Sequence, residues 1–185
     1  KDFKKTKLLI HNHPEVAHKL LAKIAKVTVA YLNMQIAAGV NAVQLFDSWA
    51  LALSWNDYTE FSHRYNTEII SQLNRKDIPV ISFCKGSSVF APLMAEAKPD
   101  VVSVDWNADL LNIKNILPAG MAVQGNLDPH ILYADKPVIK KHILQLFERM
   151  RGEKGFIFNL GHGIMPDIPF DHVKYAIDVV KDFKY

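Results

Sequence analysis

Five short apolar runs, rich in β-branched and aromatic residues, constrain the fold of this chain more than any other feature. They span residues 42–46, 79–84, 101–106, 121–125 and 156–160, each five or six residues long. Their hydrophobicity is nearly continuous instead of alternating, as in parallel strands that helices bury on both faces.

Between the runs, apolar residues recur at helical spacing. Residues 14 to about 38 carry Val16, Leu20, Leu21, Ile24 and Val27 in that spacing, and Gly39 stands where a helix-ending glycine is expected. Asn56 or Asp57 is expected to cap a helix reaching about Leu73. Shorter helices are expected over 88–97 and 109–116, the second stopped by Pro118. Helices over 136–151 and 169–183 complete the series, with Asp167 or Asp171 near the start of the last.

The order is one helix, then five strand–helix units. Repeated units with right-handed crossovers give either an open doubly wound sheet or a (β/α)8 TIM barrel. Two patterns favour the barrel. Polar or small residues stand just past the run ends, at Asp47-Ser48, Lys85-Gly86-Ser87, Asp105-Trp106, Gly125-Asn126 and Gly161-His162-Gly163, where a barrel carries its active-site loops. No glycine-rich dinucleotide fingerprint occurs at a first strand–helix turn. Five strands do not close a barrel of eight, and open edges leave backbone groups unpaired. Either three strands are missing on the amino-terminal side, or the edges are covered in another way.

Composition narrows the classes further. The 185 residues suit one compact domain, and 49% hydrophobic with 22% charged residues is ordinary for a globular, water-borne chain. The net charge of +3 is spread along the chain with no stripe of basic and aromatic residues, so no nucleic-acid partner is expected. No apolar run approaches the ~20 residues that cross a bilayer, so no membrane partner is expected either. The single cysteine, Cys84, forbids an intrachain disulfide and agrees with a cytoplasmic location. Residues 1–7 do not read as a secretory signal. A first residue of Lys1 in place of Met suggests a processed or truncated start.

Two residues carry the functional reading. His162 lies between two glycines directly after an apolar run, where the backbone can turn sharply and approach a ligand. An imidazole there can pair with a carboxylate or move a proton near neutral pH, or simply satisfy loop carbonyls. Ser48 follows Asp47 at the end of the first run, so its hydroxyl can donate to a ligand carboxylate or cap a helix. Ser48 lacks a nucleophile elbow, so no acyl-transfer triad is implied. Asp47, Asp105 and Asp128 are read as helix caps or partners of lysines, with Asp128-Pro129 as a loop-to-helix junction. Phe46 and Trp106 are read as barrel or pocket-wall packing. His11-Asn12-His13 has two histidines but no carboxylate in register, and reads as surface with no metal held.

The stretches Gln124-Gly125-Asn126-Leu127-Asp128-Pro129 and Asn159-Leu160-Gly161-His162-Gly163 resemble two signature stretches of the uroporphyrinogen decarboxylase family. Gln44-Leu45-Phe46-Asp47-Ser48-Trp49-Ala50 and Val104-Asp105-Trp106 are similar to two more, in the same order and spacing. The resemblance covers essentially the whole chain, 1–185. It implies a single (β/α)8 barrel domain of which this chain supplies about strands four to eight. Roughly 150 residues would precede it in full-length relatives, given the size of such barrels. An arginine-bearing motif, a strand-end acid and a tyrosine-bearing stretch would lie there, so this chain alone is expected to have little activity.

What the resemblance implies for chemistry is decarboxylation of the four acetate side chains of uroporphyrinogen III to coproporphyrinogen III, with no cofactor. Ser48 and His162 would bind substrate, and His162 would also take part in catalysis. The full-length protein would be a homodimer. Related zinc- or corrinoid-dependent methyltransferases share the barrel and form the alternative. They resemble this chain less, because their metal-binding histidine and cysteine fall where Ser82 and Cys84 stand and no second cysteine exists. A third possibility is a half-barrel that associates through its open edge without catalysis.

Overall fold

The structure, a computed structural model, describes residues 2–184. They form two compact units, one reaching to Val102 and one starting at Ser103. The first contains α1 (Lys4–Asn12), α2 (Pro14–Ala37), β1 (Val43–Asp47), α3 (Trp55–Tyr58), a π-helical turn (Thr59–His63) and α4 (Arg64–Ser71). It continues with β2 (Val80–Cys84) and α5 (Ser87–Glu96), and β3 (Val101–Ser103) spans its boundary. The second holds α6 (Leu110–Ile116), β4 (Ala122–Leu127), a 3-10 turn (Pro129–Tyr133), α7 (Lys136–Arg149), β5 (Phe156–Leu160) and α8 (Phe170–Asp182). The expected α/β class with five parallel strands is borne out, in the strand order β1-β2-β3-β4-β5.

In the first unit β1 and β2 pair in parallel with Val43 opposite Val80. Val43, Leu45 and Val80 meet Ala25 and Leu32 of α2 and Tyr65, Ile69 and Ile70 of α4 in one buried cluster. α2 ends as expected, with Gly39 left-handed at φ +88° two residues past Ala37. Its burial differs from the simplest expectation. The small residues Ala17 and Ala25 face inward, letting the helix lie close to its neighbours. Val16, Leu20, Ile24, Val27, Tyr31 and Met34 remain 47–64% exposed along the opposite stripe.

One local expectation is corrected here, one is narrowed, and one helix went unread. α1 was not legible in advance, because its lysine-rich start has little apolar patterning. The α3 cap is Ser54, whose hydroxyl accepts from the Asp57 amide, and neither Asn56 nor Asp57 fills that role. Phe46 touches Phe83 (ring centroids 5.4 Å apart) and is 68% exposed, which removes the barrel-core alternative of its expected packing role.

In the second unit β4 and β5 pair in parallel with Val123 opposite Phe156. α7 and α8 cover this pair through Ile139, Ile143, Phe147 and Ala176. β3 is shorter than its apolar run suggested: after Ser103 the chain turns away, although the Val104 amide still donates to the Gln124 carbonyl. α8 has Pro169 at its cap position and no side-chain cap. Asp167 instead accepts from the Tyr133 hydroxyl, and Asp171 lies inside the first turn.

A candidate active site at the carboxyl ends of the strands

β1 ends at Asp47, and the chain enters a turn at Ser48 and Trp49. Ser48 caps nothing: the short 3-10 helix Ala50–Ala52 has Trp49 at its cap position with no side-chain bond, and the next cap is Ser54. The competing role of this serine is therefore vacant, and its half-buried hydroxyl has no hydrogen-bond partner among the described residues. Asp47 behaves differently from the expected cap. Its Oδ2 accepts from the hydroxyl of Ser62, which also accepts from Asn66 Nδ2 at 3.2 Å. Ser62 sits in the π-helical turn, whose extra residue per turn aims it at the strand end.

Tyr58 lies under this network, 1% exposed, and burial holds its phenol far above the ordinary range, with the neighbouring Cys84 adding to the effect. It therefore stays neutral as a hydrogen-bonding prop. Cys84 is 1% exposed, with its thiol 3.4 Å from the Met94 sulfur, and serves as a small buried hydrophobe. A cavity of about 340 Å3 opens beside Asp47 and Ser62, walled by Phe3, Ile10, Trp49 and Phe61. Two of those walls come from the amino-terminal segment that sequence patterning left unread.

In the second unit the loops after β3, β4 and β5 converge. Gln124 Nε2 donates to Ser103 Oγ at 3.1 Å, and Asn126 Nδ2 donates to the carbonyls of Asp105 and Ala108 at 2.9 and 2.7 Å. The Gln-Gly-Asn stretch thus holds the loop that presents Trp106. Gly125 is required between them: at φ +142° a Cβ would lie 2.6 Å from the Val104 carbonyl oxygen. Asp105 is fully buried and accepts from the Asn107 amide at 3.3 Å, shaping its own turn. Asp128 caps the 3-10 turn through the His130 amide at 2.9 Å, as its place before Pro129 suggested.

His162 follows β5 half-buried, its ring edge-on to Trp106 at 6.2 Å and 88°. Of its two glycine neighbours only Gly161 is sterically demanded, and by close approach: a Cβ there would fall 2.5 Å from the Trp106 amide nitrogen. Gly163 has nothing within 4 Å of its would-be Cβ. Trp106, read as barrel or pocket-wall packing, is the surface against which His162 is set. The sequence reading passed over His130, whose ring is 6.3 Å from Trp106 on the same loop cluster. Its position after Asp128-Pro129 was the available signal.

His11, at the end of α1, has its Nε2 3.7 Å from Asp57 Oδ2, a carboxylate distant in sequence. No three metal-binding side chains gather among the described residues.

Parallel strands alternating with helices, with polar loops at the strand carboxyl ends, are the arrangement of a β/α-barrel protein. A structure described as a methyltransferase from Methanosarcina mazei has this fold, with a TM-score of 0.82 over 97% of this chain and 53% of its own, at 18% identity. Sequence separates the two more sharply than shape does: the chain belongs to the uroporphyrinogen decarboxylase family, whose model matches residues 1–183. It is 47% identical over 182 residues to the uroporphyrinogen decarboxylase of Protochlamydia amoebophila, covering 98% of this chain and 50% of that protein. The Aquifex aeolicus enzyme of the same name is 42% identical over 184 residues, 99% of this chain and 54% of its own. The chain spans about half the length of the curated relatives it matches.

Proposed function

We propose that this chain is the carboxyl-terminal part, strands four to eight, of a (β/α)8 barrel that decarboxylates the four acetate side chains of uroporphyrinogen III to give coproporphyrinogen III. The observation that carries this reading is His162 set against Trp106, just past the ends of β5 and β3, in a chain of this family. The terminal strands β1 and β5 and the exposed stripe of α2 are the surfaces that the rest of a barrel would cover.

The chemistry resides in the substrate. Protonation of a pyrrole carbon makes the ring an electron sink. The acetate C–C bond breaks, its electrons enter the ring, carbon dioxide leaves, and a second proton delivered to the exocyclic carbon yields the methyl group. The ring proton is then released. No cofactor is called for. The protein's task is to hold a polyanion, steady the transient positive charge and manage protons. Ser48 donates to a substrate carboxylate, and His162 pairs with another and handles a proton. The tetrapyrrole is the only partner besides a second subunit of a cytoplasmic homodimer. No helix among the described residues is long and apolar enough to cross a membrane.

Fold likeness alone would favour a methyltransferase. Against it, Ser82 and the buried Cys84 do not supply the expected histidine and thiolate pair. The test is uroporphyrinogen turnover by full-length protein carrying His162→Asn or Ser48→Ala. A drop in kcat/KM of about 10-fold or more with unchanged melting temperature supports the roles given. Equal losses of activity and stability would remove them.

A further inference from the structure

Two imidazoles meet the Trp106 ring. His162 approaches it edge-on at 6.2 Å, and His130 meets it at 6.3 Å and 67°. The two histidines follow β5 and β4 respectively, and Trp106 follows β3, so three successive strand ends contribute. His130 is also oriented. Asp128 Oδ1 receives its backbone amide at 2.9 Å and lies 3.0 Å from its Nδ1, so one carboxylate oxygen fixes both backbone and ring. That contact places the Nδ1 proton toward Asp128 and leaves Nε2 with no partner among the described residues, on a side chain 55% exposed. The His130 ring also neighbours Tyr133, 6.3 Å away, whose hydroxyl is tied to Asp167.

A solvent-exposed His–Asp pair contributes little to stability. An imidazole held by a carboxylate, aimed outward and sharing an aromatic face with the histidine of the site is arranged for a ligand. We propose that His130 is a second carboxylate-binding histidine, and that His130 and His162 hold two neighbouring acid side chains of one pyrrole across the edge of Trp106. The proposal rests on the decarboxylase reading, which supplies a ligand dense in carboxylates. Asp128 acts through His130 as its positioning residue and does not touch the ligand.

The experiment uses the full-length protein labelled at its histidines and titrated with uroporphyrin, the stable oxidised form of the expected substrate, while the imidazole carbon–proton resonances are followed. His130 and His162 should shift together with one apparent Kd, while His13 stays still. His130→Ala should weaken binding about 10-fold, the loss of one charge-assisted hydrogen bond, and Asp128→Asn should weaken it about threefold. Both variants should melt where the parent does. Movement of His162 without His130, or unchanged affinity in His130→Ala, overturns this inference and leaves the decarboxylase reading standing. If neither histidine moves at saturating uroporphyrin, both fall together.

Discussion

At the residue scale, the site depends on close approach more than on unusual backbone. Gly161 lets β5 pass within contact of the Trp106 backbone. Its replacement by alanine puts a methyl group where 2.5 Å is available, so the loop carrying His162 must shift. Gly161→Ala is expected to cost about 1–3 kcal/mol as overpacking, measured by urea denaturation, while Gly163→Ala should cost well under half as much. Equal costs would mean the Gly161 contact is not tight. The His162 position was legible in the sequence because an apolar run followed by Gly-His-Gly has few readings. Trp106 and His130 were not, because their roles come from contacts between loops widely separated in sequence. Ser48 was legible as a donor, but its competing capping role was excluded only once Ser54 was seen to hold that position.

At the element scale, the helix ends carry measurable electrostatics. Asp109 caps α6 by accepting from the Asn112 amide at 2.9 Å, and its other oxygen meets Arg149 Nε of α7 at 2.8 Å. The Arg149 hydrogen bond, foremost, and the Asn112 amide hold its carboxyl below the usual carboxylate range against a smaller opposing effect of burial. A carboxyl depressed in the folded state stabilises the fold above the unfolded pKa, about 4, and that stability is lost as pH falls through the lower folded value. Asp109→Asn keeps a good cap and removes only a partly exposed ion pair, so it should cost about 0.2–1 kcal/mol at pH 7 and less at pH 3. Asp109→Ala should cost about 1 kcal/mol more through the lost cap. A cost for Asp109→Asn that does not shrink toward pH 3 would contradict this assignment. Deeper in the unit, Ile143 is fully buried between α7 and its neighbours, and Ile143→Ala should cost about 2–5 kcal/mol. The main helices and strands were legible because period and punctuation agree in them. α1 and the π-helical turn were not, since one lacks an apolar stripe and the other is set by how Ser62 meets Asp47.

At the scale of the whole molecule, two terminal strands and one apolar helix face stand out. Val16, Leu20, Ile24, Val27, Tyr31 and Met34 recur every three or four residues on α2, a stripe that water would cover only at a cost of roughly 1.5–3 kcal/mol per large side chain. The chain on its own should therefore self-associate, read by light scattering, and Val27→Glu with Leu20→Glu should shift it toward monomer without unfolding it. A clean monomer of the unaltered chain would argue against that expectation. The alternation of strand and helix was legible from the sequence. Which face of α2 turns inward was not, because Ala17 and Ala25 give no hydrophobic signal comparable to the larger residues they displace.

The central claim is that this chain supplies the carboxyl-side half of a decarboxylase site. It is tested most directly by fusing the chain to the amino-terminal half of the Protochlamydia amoebophila enzyme, in place of the 182 residues it matches there, and measuring coproporphyrinogen formation from uroporphyrinogen. The account predicts turnover in the fusion, little in this chain alone, and a loss of about 10-fold or more in the fusion carrying His162→Asn. A well-folded fusion that binds uroporphyrin but releases no carbon dioxide, or one indifferent to His162→Asn, would contradict it.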